Sequence, residues 1–240
     1  MTTIFSGVIT SKTHGINIQK IFVSDEINEN LDKLKDFTYL HELHFEYEQI
    51  KEFPYSFYNF INLHVLNLGD NQIEKIPDVL SNLIKLRKLN LSCNKIKKIP
   101  NSLGYLTDLE SLDLTANKIQ EIPDSLGNLV NLHELELGCN RIKKIPNSLH
   151  CLINLRILNF GHNKIKEIPI SIINLIRLEE FYYENNPVKF LHVIVNRFLD
   201  RIMNGGGSIH NVYNNGENVH TNSIQKCVKE SIIKIFLFSL

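Results

Sequence analysis

A strict period is what most limits how this chain can fold. Leu40, Leu63, Leu86, Leu109, Leu132, Leu155 and Leu178 open seven consecutive copies of one 23-residue sentence, with no insertion or deletion between them. The clearest copy, Leu109 to Asn131, reads LESLDLTANKIQEIPDSLGNLVN. A segment this short cannot bury its own leucines. Copies must therefore stack, each covering the apolar face of its neighbour, so that stability comes from contacts between neighbours. Residues 40–188 are accordingly expected to form a solenoid.

Within a copy two apolar rhythms alternate. Positions 1, 4 and 6 are apolar. Positions 4 and 6 share one face of a short strand, and positions 3, 5 and 7 share the other. Stacked copies would join these strands into a curved parallel sheet. Position 9 is Asn71, Asn94, Asn117, Asn140, Asn163 and Asn186 in six copies and Glu48 in the first. An amide side chain both donates and accepts, so a buried asparagine at a tight turn can pair backbone groups the turn leaves open. Isoleucine dominates positions 11 and 14. Position 15 is proline in six copies, Pro54 through Pro169. Its fixed φ and missing donor suit the start of a return segment. Asp78, Asn101, Asp124 or Asn147 follows and could cap a short helix or turn. Apolar positions 18 and 21 then return to the core. Replacing Leu112 or Ile119 with Ala should cost about 2–5 kcal/mol.

The flanks divide less sharply. Residues 1–39 form a leading segment in which Ile18, Ile21 and Val23, then Leu34 and Phe37, imitate one degenerate copy, as terminal repeats do. Residues 189–204 carry Phe190, Ile194, Phe198 and Ile202 at intervals of four, beside Leu191, Val195 and Leu199. That is an amphipathic helix, and it serves either as a cap on the last repeat or as a docking helix for a partner. Residues 205–240 begin with a flexible break, Gly205 to Ser208. They continue through an Asn215–Gly216 turn to a last helix capped by Ser223, with Ile224, Val228 and Ile232 on one face. This tail either packs on the solenoid or pairs with another chain.

No catalytic constellation emerges. A Gly-rich phosphate loop, H-E-x-x-H and paired C-x-x-C are all missing from the sequence, so no enzyme activity, metal or cofactor is expected. Cys139 and His162 share position 8 in adjacent copies, but a structural zinc site needs four ligands. Cys227, between two lysines, could carry a lowered thiol pKa and leaves open a rival reading, a ubiquitin ligase using that cysteine. Cys93 and Cys139 lie two copies apart, about 10 Å at sheet spacing, beyond the roughly 7 Å a disulfide spans. That favours a reducing compartment. The start of the chain lacks the pattern of a signal peptide. The apolar run near its end is shorter than the roughly 20 residues of a membrane span. A cytoplasmic location is expected.

The outward strand positions are the better candidate site. Glu42, His44, Asn67, Lys88, Asn90, Ser111, Asp113, Glu134, Glu136, Asn159, Glu180 and Tyr182 would line the concave wall. Its acidic centre at Asp113 and Glu136 favours a basic patch on a protein partner, unless these are simply solvated positions. Positions 10, 12 and 13 supply a second feature, a lateral ridge that includes Lys95, Lys97, Lys118, Arg141, Lys143 and Lys144. The chain as a whole has zero net charge. Glu74, Glu121 and Glu167 interrupt the ridge, and no aromatic side chains interleave along it in sequence. Nucleic-acid binding is thus the weaker alternative.

The motif LxxLxLxxNxIxxIPxxLxxLxx over residues 40–188 resembles the intracellular leucine-rich repeat proteins of the Ras-suppressor and plant intracellular Ras-group types. The resemblance implies a leucine-rich repeat solenoid of α/β class, with a parallel sheet on the concave side, short helices or turns on the convex side and a C-terminal helical cap. It also implies a non-catalytic adaptor that binds a protein through the concave face. The tail segment NNGENVHTNSIQ, with the abundance of Ile, Asn and Lys, resembles proteins of giant amoeba-infecting viruses. That implies action in infected host cytoplasm.

Overall fold

A computed structural model of the chain describes residues 2–5, 18–22, 39–45 and 49–210. Ten parallel strands form one sheet whose spatial order follows the sequence from β1 to β10. They are β1 (Thr2–Phe5), β2 (Ile18–Phe22), β3 (Glu42–His44), β4 (Val65–Asn67), β5 (Lys88–Asn90), β6 (Ser111–Asp113), β7 (Glu134–Glu136), β8 (Ile157–Asn159), β9 (Glu180–Tyr182) and β10 (Ser208–His210). From β3 to β9 the register preserves the 23-residue period: Leu66 pairs with Leu89, Leu89 with Leu112, Leu112 with Leu135 and Leu135 with Leu158. The period in sequence is therefore also the translation in space.

The return half of each of the first six copies is a five-residue 3-10 turn. Its proline sits just outside, extended, at φ −71° and ψ 147° for Pro123. The carbonyl of Pro123 accepts from Leu126 N–H, and that of Leu126 accepts from Leu129 N–H. The Asp or Asn after the proline does not act as the expected cap. Asp78 and Asp124 instead accept hydrogen bonds from Ser102 and Ser148 one copy along, at 2.6 and 3.0 Å. The two glycines in this turn permit close stacking. A Cβ on Gly104 would fall against the Ser125 carbonyl.

Between sheet and turns lies one continuous apolar core. Leu112, Leu114, Ile119, Leu126 and Leu129 are fully buried, as are their counterparts in neighbouring copies. The asparagine ladder runs along its edge as expected. Asn117 accepts from Ile96 N–H at 2.9 Å. It donates to the carbonyls of Leu91, Leu114 and Thr115 at 2.9, 3.1 and 3.2 Å. Asn71, Asn94, Asn140, Asn163 and Asn186 repeat the arrangement. One amide per copy thus pairs backbone groups of two copies. The residue before it, at position 8, is left-handed in six copies, with φ between 53° and 57° from Asp70 to Asn185.

The last repeat is closed by α1 (Val193–Asn204), shorter than the expected 189–204. His192 is extended at φ −62° and ψ 142°, and its ring accepts from Ile194 N–H at 3.2 Å. Helical geometry starts after it. Phe190 therefore precedes the helix and is 84% exposed. The buried face is Val195, Phe198, Leu199 and Ile202 instead. Where a flexible break was expected, Gly205 to Gly207 turn the chain straight into β10. This strand adds to the sheet, with Ile209 opposite Phe181. Val23, Leu34, Phe37, Glu48, the Asn215–Gly216 pair, Ser223 and Cys227 lie outside the described residues.

Candidate functional site

The stack places the outward strand residues on one wall, one copy per rung. Glu42 pairs with Val65, Lys88 with Ser111 and Ser111 with Glu134. One step along, His44 pairs with Asn67, Asn90 with Asp113, Asp113 with Glu136 and Glu136 with Asn159. Glu180 and Tyr182 close the series beside Ile157 and Asn159. Lys88 and Glu134 are exposed, and the other ten candidate residues are half-buried. All twelve thus share one surface.

Position 5 has a structural task that alternation alone did not reveal. Asn67, Asn90, Asp113 and Asn159 each accept a hydrogen bond from the backbone N–H two residues on, at 3.1, 2.8, 2.9 and 2.8 Å. These side chains fold back on their own strand ends in Asx turns. They are held in place, and less of their polarity is left for a partner. Glu136, one methylene longer, bonds the Asn159 side chain in the next copy instead.

The wall is electrostatically uneven. Positions 3, 5 and 7 of the seven copies carry seven carboxylates and one lysine. Burial, and after it the charges of Asp113, Glu134 and Glu180, push the Glu136 carboxyl up to about 7, against a hydrogen bond from Asn159 that lowers it. Burial also raises the carboxyl of Asp113, against hydrogen bonds from Thr115 and Ser92 that lower it. The Tyr182 hydroxyl donates to Glu180. Burial, that hydrogen bond and the surrounding carboxylates hold its pKa well above the usual phenol range. One oxygen of Glu184 is buried with no hydrogen-bond partner among the described residues. Ser111 donates to Glu134 at 3.0 Å, and His44 lies 3.5 Å from Glu42. The centre and the far end of the wall therefore concentrate negative charge in partly dehydrated surroundings.

On the flank, Cys139 and His162 do occupy adjacent rungs, and His162 lies 3.2 Å from the Asn185 amide. Among the described residues no helix is long and apolar enough to cross a membrane.

A ladder of equal rungs with an open inner wall defines a repeat protein of the solenoid class, a fold that serves protein interaction. More specifically, the chain belongs to the leucine-rich repeat family. The family described as "Leucine rich repeat" matches residues 38–96, 61–119, 84–141 and 107–165, overlapping windows that together cover more than half of the chain. No curated protein matches it. Among solved structures, the plant peptide hormone receptor RGFR1 in complex with RGF2 is 28% identical with a TM-score of 0.61, over 70% of this chain and 28% of that one. The ectodomain of the Arabidopsis thaliana receptor kinase GASSHO1/SCHENGEN3, in complex with CASPARIAN STRIP INTEGRITY FACTOR 2, is 20% identical with a TM-score of 0.59, over 81% and 29%. An internalin from Listeria monocytogenes is 22% identical with a TM-score of 0.57, over 82% and 63%. The chain spans less than two thirds of each.

Proposed function

We propose that this chain is a non-catalytic protein-interaction module that holds a cationic segment of a partner protein against its concave wall. The observation that carries the reading is the partly dehydrated carboxylate group around Glu136. Its raised pKa reflects burial first, and then the like charges of Asp113, Glu134 and Glu180 beside it. A lysine or arginine from a partner would supply that cation, and Asp113, Glu134 and Glu180 would share it. The plant receptor in complex with RGF2 adds support, since it is a relative of 28% identity whose partner is another chain. The exposed thiol of Cys151 agrees with a reducing, cytoplasmic setting, where an adaptor of the Ras-suppressor type would act.

The test is selection from a displayed peptide library against the purified chain. Selected peptides should be rich in Lys and Arg. They should lose at least about tenfold in affinity on Asp113→Lys with Glu136→Lys, a change of more than 1.4 kcal/mol. Their affinity should also rise from pH 6 to pH 8 as Glu136 ionises. Peptides that bind wild type and the double variant equally would overturn the assignment.

A further inference from the structure

Zero net charge hides a second surface on the flank of the stack. Positions 10, 12 and 13 between Lys51 and Lys189 carry twelve cations against four carboxylates. Stacking sorts the four of these cations at position 10 into a file: Lys95, Lys118, Arg141 and Lys164. Each has its backbone N–H bonded at 2.8 Å to the position 11 carbonyl of the preceding copy. The file is therefore fixed at the rung spacing of about 4.8 Å. Among the described residues the ridge has one ion pair, Lys97 with Glu74 at 2.8 Å.

Aromatic side chains lie at both ends of this ridge, although they are not interleaved with it in sequence. At the near end, Tyr55 and Tyr58 line a hollow of about 730 Å³ together with Lys51, Lys75 and Lys95, and with the carboxylates of Glu52 and Glu74. The two rings meet edge to face, 5.9 Å between centroids, and Tyr55 is 85% exposed. At the far end, Phe190, 84% exposed, shares a hollow of about 590 Å³ with Lys166, Lys189 and His192, and with the carboxylate of Glu167. Six rungs separate the first copy from the seventh, roughly 29 Å at sheet spacing.

We propose that this flank binds single-stranded nucleic acid, with phosphates along the position 10 file and bases stacked on Tyr55 and Phe190. The span matches about eight nucleotides at the 3.4 Å rise of a stacked strand. A groove of cations ending in exposed rings is what sequence-tolerant single-strand binding requires, because every base offers a π face. A duplex hides those faces, and an acidic peptide has none, so neither would use the rings. This surface is separate from the concave wall and stands or falls without it.

Fluorescence anisotropy with a labelled oligo-dT of about 15 nucleotides tests the proposal. Binding in the range of about 1–100 μM is expected near physiological salt. With about four phosphates engaged, the slope of log K against log salt should be near −3. Arg141→Glu with Lys164→Glu, both exposed, should weaken binding at least tenfold and flatten the slope by about 1.4. Tyr55→Ala should weaken oligo-dT binding about tenfold and leave polyglutamate binding unchanged. A thermal melt of each variant shows that the fold is kept. Three results would overturn the proposal: no binding even at low salt, binding indifferent to the Arg141 and Lys164 reversals, or binding indifferent to Tyr55→Ala with equal affinity for polyglutamate or anionic phosphatidylserine vesicles. The last would assign the ridge to acidic proteins or to membrane surfaces.

Discussion

Replacing Glu136 with Gln should stabilise the protein at high pH and leave it unchanged at low pH. Glu136 sits on the concave wall at the end of β7, and burial first, then Asp113, Glu134 and Glu180, lift its carboxyl to about 7. In the unfolded chain the same group titrates near about 4.3. The folded state thus holds the proton more tightly, and its contribution to stability is greatest in acid. Below about pH 4 the group is neutral in both states and costs nothing. Between about pH 4.5 and 7 the unfolded chain has ionised while the folded chain has not, and each pH unit costs about 1.4 kcal/mol. Above pH 7 the loss levels off at about 3.7 kcal/mol. Residual solvent at this half-buried group reduces that figure, so a gain of about 2 kcal/mol for Glu136→Gln at pH 8 is expected. Glutamine keeps the shape and the oxygen that can accept from Asn159. The assay is urea unfolding of both proteins at pH 4, 6 and 8, compared at each pH so that other titrating groups cancel. A gain that does not vary with pH, or none at pH 8, would refute the reasoning.

Three further outcomes follow from the packing. Leu112→Ala empties a fully buried site and should cost about 2–5 kcal/mol by urea midpoint; an unchanged midpoint would contradict a core shared between copies. Asn117→Asp keeps the acceptor for Ile96 but sets an oxygen against the carbonyls of Leu91 and Leu114. It should cost at least about 2 kcal/mol. The introduced carboxyl should be held above its usual range, so the loss should be larger at pH 8 than at pH 4; equal losses would mean the amide donors do not matter. Gly104→Ala must displace the Ser125 backbone one copy away and should lower stability by at least about 1–3 kcal/mol, read as a lower melting midpoint; tolerance would mean that adjacent turns are not rigidly stacked.

The solenoid was legible in the sequence because its cause is local and repeated. Seven copies with apolar residues at positions 1, 4 and 6 give a strand face, and six amides at one position give a ladder, with no need to know where the chain goes next. What was not legible depends on neighbours rather than on period. Alternation says that Asn67, Asn90 and Asp113 face outward, but not that they bend back onto the N–H two residues along. The four-residue rhythm from Phe190 to Ile202 announces a helix without locating its start. The extended His192 sets that start and leaves Phe190 in solvent. The nearness of Tyr55 to Lys75 and Lys95 arises only after stacking, because it joins position 16 of one copy to positions 13 and 10 of the next two. The candidate wall was read as a surface, and its acidic bias was visible at Asp113 and Glu136. The dehydration that lifts Glu136 needed coordinates.

Stacking also explains why net charge was a poor guide. In a solenoid a residue's nearest lateral neighbour is its counterpart 23 residues away, so like charges at one position are brought together whatever the net charge of the chain. Lys97 with Glu74 and Arg87 with Glu110 show the arrangement that relieves this, an opposite sign on the next rung at 2.8 and 3.2 Å. Folding alone favours such alternation, although exposed pairs contribute at most about 1 kcal/mol. The inner wall and the position 10 file depart from it in opposite senses. One gathers carboxylates with raised pKa values, and the other aligns Lys95, Lys118, Arg141 and Lys164 without a carboxylate among them. On the wall the arrangement costs stability in the isolated chain above the carboxyls' ordinary range, and a partner of opposite charge would remove that cost on binding. The inner wall is therefore where an opposite charge from another molecule would relieve an electrostatic cost that folding leaves in place.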